Sequence, residues 1–188
     1  MQLREEFKFD IRQVMRLLPA DGKIKHLFRQ FTLSPRTEGR ARSVKNFAEA
    51  LGFSVERQAL PFGVNGMLKQ DPFSDNSYCI VVNEKLSIEA QRFAVLHEMG
   101  HYFRHEKHDD PLAYAKYFDL SEAAFYVDKS EEREANEFAE ALLFGNGQLV
   151  AAHTICLGDI SKLAKYFGVT QAVVKVALVK LKTGYGKK

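Results

Sequence analysis

The sequence predicts an α+β fold: a small mixed or antiparallel sheet, two strongly patterned helices, and a C-terminal helix–turn–helix-like subdomain. Three observations predict it. The run "YCIVV" at 78–82 is β-branched, apolar and followed by Asn83, which reads as a strand. Two segments, about 88–105 and 130–144, repeat their apolar residues at helical spacing and carry good capping residues. The stretch "DISKLAKYFGVTQAVVKVALVKL" breaks one helical pattern at Gly168 and restarts it after Thr170. The chain divides accordingly into an N-terminal helical extension (1–40), a central domain (41–150) and the C-terminal piece (151–188).

Taken in order, residues 1 to about 33 have helical spacing, with Val14, Leu17 and Leu18 on one stripe. "SPRTEGR" at 34–40 reads as a linker or turn. Residues 41–53 read as a helix, with Val44, Phe47, Ala48 and Leu51 as its apolar face and Gly52 as its C-cap. "SVERQAL" at 54–60 alternates like a strand, and the turn-rich stretch that follows leaves room for a short strand at Gly66–Lys69. Ser87 is a good N-cap for the helix at about 88–105, and Glu89 suits the positive end of its dipole. "HDDP" at 108–111 breaks that helix, and residues 112–128 are aromatic-rich and ambiguous. Ser130 caps the next helix, which Gly145 ends. Two short helices, about 159–167 and 170–181, close the chain.

The 188 residues are 46% hydrophobic and 12% aromatic, enough for a packed core and against disorder. No apolar run approaches the ~20 residues of a membrane span, and the N-terminus lacks a signal-peptide core. Cys79 and Cys156 are too few and too far apart for a disulfide framework. They read as buried packing, and a cytoplasmic setting is expected. Charge is unevenly placed: residues 1–45 have eleven basic and five acidic side chains, residues 46–150 nine and eighteen, and residues 151–188 seven and one. Basic ends on an acidic body suit an acidic partner or nucleic acid, and equally a lysine-rich solvated surface.

The chemistry concentrates in "RFAVLHEMGHYFRH" at 92–105. His97 and His101 stand four apart, so both imidazoles lie on one helical face and can bind one ion. Glu98 is turned about 100° from His97, away from the ion but near a water on it. That spacing suits zinc, which takes neutral imidazoles, and a carboxylate that accepts and returns a proton. A surface helix with a Glu–His cluster produces the same letters, so context must decide. Gly100 between the histidines points to close packing. A third ligand is needed, and the second helix offers Glu132, in phase with the apolar stripe Ala135, Phe138, Ala139, Leu142 and Leu143. Asn136 lies one turn further on the same side, suited to orient a ligating histidine. An acid in a first helical turn is also common for reasons of the helix dipole alone.

"RFAVLHEMGHYFRH" followed by "EREANEFAEALL" resembles the ImmA/IrrE family of zinc-dependent, gluzincin-like metallopeptidases. "VKNFAEALGFSV", "LPFGVNGML" and "YCIVVNEKLSIEAQRF" fit upstream, so the resemblance covers roughly 41–150. It implies a zincin-like core, His97, His101 and Glu132 as ligands of Zn2+, and Glu98 as general acid/base. It further implies a cytoplasmic endopeptidase that cuts a regulatory, repressor-like protein, linked to transcription regulation and stress response. The family commonly runs its second helix into "LLMP", where this chain has "LLFGNG".

Several readings stay open at this stage. Tyr102, His105, His108 and His153 qualify only by type as stabilisers of an oxyanion, and His105 also as a residue behind the ligands. "YCIVV" reads as an edge strand that aligns an extended substrate, or equally as a central strand. The C-terminal pair allows DNA contact through its second helix, although Gln171, Ala172 and Lys175 are poor base readers; a helical subdomain packed on the body is the other reading. The rival to a peptidase is a DNA-binding or partner-binding regulator whose peptidase-like body senses metal without cutting.

Overall fold

A computed structural model describes residues 9–105 and 129–183. They form a mixed α/β fold. The N-terminal region is two helices where the sequence reads as one helical stretch: α1 (Ile11–Leu17) and α2 (Gly22–Leu33). The break falls at "PAD", where Asp21 caps α2 through Lys23 N–H. Val14 and Leu18 are buried, but Leu17 of the predicted stripe faces solvent. The expected linker pairs with itself as a small antiparallel ribbon of β1 (Arg36–Thr37) and β2 (Arg40–Ala41), turned by Glu38 and Gly39 at positive φ. Helix α3 (Val44–Ala50) starts at the Ser43 cap and ends at Leu51, with Gly52 at φ 93° beyond it.

The main sheet has three strands, β3 (Ser54–Gln58), β4 (Gly66–Gln70) and β5 (Tyr78–Asn83), in the order β3-β5-β4. β5 pairs parallel to β3 and antiparallel to β4. "YCIVV" is therefore the central strand, which accounts for its unbroken apolar run, buried along its whole length. The two edges are β3 and β4, and β4 is the one that lies against Glu98. Its phase is fixed by two backbone bonds that flank it: Asn83 N–H to Asn65 C=O, and Asp71 N–H to Ser77 C=O. In an antiparallel ladder this puts the odd-numbered residues in the bonded pairs. The N–H and C=O groups of Gly66, Leu68 and Gln70 then face the outer edge, where no strand pairs with β4 among the described residues.

Helix α4 (Ile88–His105) packs on one face of the sheet and α5 (Lys129–Phe144) packs along α4. Ser87 caps α4 through Ala90 N–H, as expected. Ser130 lies within the first turn of α5 and not ahead of it. Beyond Gly145 the chain makes a helix that the sequence reading lacks, α6 (Gln148–Ile155). α7 (Ile160–Phe167) and α8 (Gln171–Thr183) follow, with Gly168 at φ 65° between them. One continuous hydrophobic cluster runs from Val14 through Phe28, Phe47, Ile80, Met99 and Phe138 to Phe167, Val174 and Leu181. Polar ties reinforce this union. Arg92 of α4 donates to the carbonyls of Gly168 (2.7 Å) and Arg42 (2.8 Å). Lys180 of α8 reaches the buried carboxylate of Glu140 on α5 at 2.6 Å.

Candidate metal centre

Helix α4 presents His97 and His101 one turn apart, and their Nε2 atoms lie 3.0 Å from each other. Glu132, in the first turn of α5, faces both: Oε2 is 3.2 Å from His97 Nε2, and Oε1 is 3.2 Å from His101 Nε2. These three side chains form a group whose donor atoms can hold one metal ion. A tetrahedral zinc with bonds of about 2.0–2.1 Å puts its ligand atoms roughly 3.3 Å apart, close to the spacing here. The donor set also fits by type: two imidazoles and one carboxylate.

Asn136 sits where helical phase puts it, one turn after Glu132. Its Oδ1 is 3.1 Å from His97 Nδ1. An Nδ1–H donated to that oxygen leaves the Nε2 lone pair for the metal. The electrostatics follow from the same contacts. The hydrogen bonds to His101 and His97 hold the Glu132 carboxyl far below its ordinary value. Burial alone would lower the His97 pKa, but the bond to Glu132 and the charge of Glu98 outweigh it, and the imidazole is raised above 6.5.

Glu98 is on a neighbouring face of α4 and only 8% exposed. Burial raises its pKa, against the lowering charges of His97 and His101. The carboxylate lies against β4. A Cβ built on Gly66 would stand 3.0 Å from Glu98 Oε1 and 3.3 Å from its Cγ. Glycine at 66 thus lets the edge strand run directly past the acid, a role that sequence reasoning missed. The signal available was only a glycine within a predicted strand.

Gly100 explains how the two helices approach. A Cβ there would meet Ala135 Cα and Ala135 O, both at 2.9 Å, and Phe138 Cβ at 3.2 Å. Backbone-to-backbone contact at this point brings the His97/His101 face of α4 against the Glu132/Asn136 face of α5. One turn further along α4, Arg104 Nη1 pairs with Glu134 Oε2 at 3.0 Å across the same helix interface.

The remaining candidates are placed differently. The Tyr102 ring packs edge-on against Phe53 (4.8 Å) and Tyr78 (5.1 Å). His153 lies beside Gly158 at the turn between α6 and α7. His105 ends α4 with its side chain outside the described set, and His108 lies outside the described residues. Cys79 and Cys156 are both buried and unpaired as disulfides, as expected. No helix among the described residues is long and apolar enough to cross a membrane.

Residues 48–179 match the peptidase family described as IrrE N-terminal-like domain. The chain is 30% identical over 115 residues to Metallopeptidase ImmA of Bacillus subtilis (strain 168), a stretch that covers 61% of this chain and 62% of that protein. The chain thus spans less than two thirds of the length of this curated relative.

Proposed function

Because the chain belongs to the IrrE N-terminal-like family of metallopeptidases, we propose that it is a zinc-dependent endopeptidase acting on an extended segment of a regulatory, repressor-like protein. The observation that carries the reading is the convergence of His97 Nε2, His101 Nε2 and a Glu132 oxygen at mutual distances of 3.0–3.2 Å. These three would be the ligands, and Asn136 would hold the His97 ring in register. Two imidazoles and a carboxylate fit the three protein ligands of a catalytic zinc, which takes water as its fourth. Zinc bound there would supply a Lewis acid for the scissile carbonyl and draw the pKa of a coordinated water towards ~7.

Glu98 would do the proton work. Its burial raises its pKa and makes it a stronger base than a solvated carboxylate. It takes one proton from the attacking water and returns it to the leaving amine as the C–N bond breaks. The free edge of β4 suits the substrate: Gly66, Leu68 and Gln70 offer outward backbone groups to an added strand, directly beside Glu98. The sheet with α4 and α5 supports a zincin-like core. α7 and α8 have the order and turn of a helix–turn–helix, and the described parts of 1–40, 41–150 and 151–188 share one core. Exposed Ala172, Val176 and Val179 on α8 favour protein contact over base reading.

The test is Glu98→Gln in the zinc-loaded protein. Zinc stays at one per chain and peptide cleavage falls by at least ~10³-fold. Cleavage retained by this variant contradicts the assignment.

A further inference from the structure

The two ends of β4 carry the chain's two Pro–Phe dipeptides, Pro61–Phe62 and Pro72–Phe73. Both rings stand fully in solvent, at 107% and 96% relative exposure. Neither belongs to a hydrophobic cluster among the described residues. Each is displayed by its own tight turn: Val64 N–H closes the first onto Pro61 C=O, and Phe73 N–H bonds Asp71 Oδ1 in the second. Proline fixes one backbone torsion immediately before each ring, so the display is partly organised in advance. Single exposed apolar side chains are ordinary on protein surfaces. Ile155 and Leu157, for example, are exposed at the α6–α7 turn. Phe62 and Phe73 differ because they precede and follow β4, the edge strand that passes Glu98.

We propose that Phe62 and Phe73 are paired anchors for an extended, apolar-bearing segment of a protein substrate that adds to the β4 edge. The inference rests on the peptidase reading above and names what that site selects. The edge of Gly66–Gln70 supplies sequence-independent backbone pairing. The rings supply the preference. β4 spans five residues, about 17 Å at ~3.4 Å per residue, so the matching apolar side chains stand at least about five residues apart in the substrate. Pairing with β4 requires a segment whose own backbone N–H and C=O groups are unpaired, as in an exposed linker or an unfolded stretch. An aromatic side chain gives a large, rigid contact surface at low entropic cost, which suits this role.

The test uses fluorescein-labelled, reduced and carboxymethylated α-lactalbumin, an unfolded chain with scattered apolar residues. Its binding to the zinc-loaded Glu98→Gln protein is read by anisotropy. Phe62→Ser and Phe73→Ser should each raise Kd ~10-fold and the double variant ~100-fold, with zinc content and melting temperature unchanged because both rings are exposed. Gln70→Pro, which removes an outward N–H at the edge, should weaken binding as well. An unchanged Kd in the double variant, or no binding by the parent, overturns the anchors. The same probe is offered to the protein with Glu98 intact. Equal cleavage by parent and double variant also sinks the anchors and leaves the peptidase reading standing. Phenylalanine-dependent binding without any cleavage keeps the anchors and counts against that reading.

Discussion

Gly100→Ala separates packing from ligand chemistry, because it adds one methyl group at the contact between α4 and α5 and touches no proposed ligand. The added carbon would lie 2.9 Å from Ala135 Cα and from Ala135 O. Comfortable carbon contacts begin near 3.5 Å, so the helices must part by about 0.5 Å. Both obstacles are backbone, which cannot swing aside as a side-chain tip does. Alanine favours the helix by up to ~1 kcal/mol over glycine. Overpacking of a tight contact costs ~1–3 kcal/mol. The net loss of stability is therefore small, about 0–2 kcal/mol, and the protein still folds. The metal site is less forgiving, since ligand distances must hold within about ±0.2 Å. Moving Glu132 and Asn136 together away from the histidines should weaken zinc binding ~10- to 100-fold. Competition against a chromophoric chelator gives the affinity, and thermal melting gives the stability. Gly22→Ala, with nothing within 4 Å of its added carbon, is the control and should leave zinc affinity unchanged. A folded Gly100→Ala protein that binds zinc as tightly as the parent would refute the claim that this contact sets the ligand geometry.

Two further predictions concern the site. Glu132→Ala should lose zinc affinity by two orders of magnitude or more while the fold survives, whereas Glu134→Ala, two residues on and paired with Arg104, should keep the metal; the reverse outcome would mean that α5 is phased differently. The metal-free protein should lose stability as pH rises from 6 to 8.5. His97 is raised in the fold, so its contribution is complete below 6.5 and disappears as pH climbs through the folded value. Glu98 and Glu140, raised by burial, act in the same direction above 4.5. Glu132 is lowered, so its contribution holds above 4.5 and is lost only as pH falls towards its folded value. Chelator-treated protein should therefore melt lower at pH 8.5 than at pH 6, and His97→Ala should flatten part of that slope. Zinc-loaded protein should show the opposite trend, because the imidazoles must be deprotonated to bind. A metal-free melting temperature that rises over this range would contradict the assignment.

The parts of this fold that follow from helical phase were legible before any coordinates. His97, His101, Glu132 and Asn136 meet because 3.6-residue periodicity puts each on the right face of its own helix. The capped start at Ser87 is local chemistry and reads directly. What the sequence concealed was relational. The place of Tyr78–Val82 at the centre of the sheet depends on two distant partners, and an apolar run alone does not distinguish a core strand from an edge. Gly66 became meaningful only once β4 was seen beside Glu98. Leu17 belonged to a plausible stripe, yet the break before α2 turned it outward. Helix α6 was missed because "LLFGNG" reads as an extended stop, while Leu149 and Ala152 quietly continue the core.

The central claim is that His97, His101 and Glu132 hold one zinc ion. Elemental analysis of natively purified protein beside its His97→Ala variant tests it most directly. The account predicts about one zinc per chain in the parent and a near-complete loss in the variant, with both proteins folded. No zinc in the parent even after supplementation, or undiminished zinc in the variant, would contradict it.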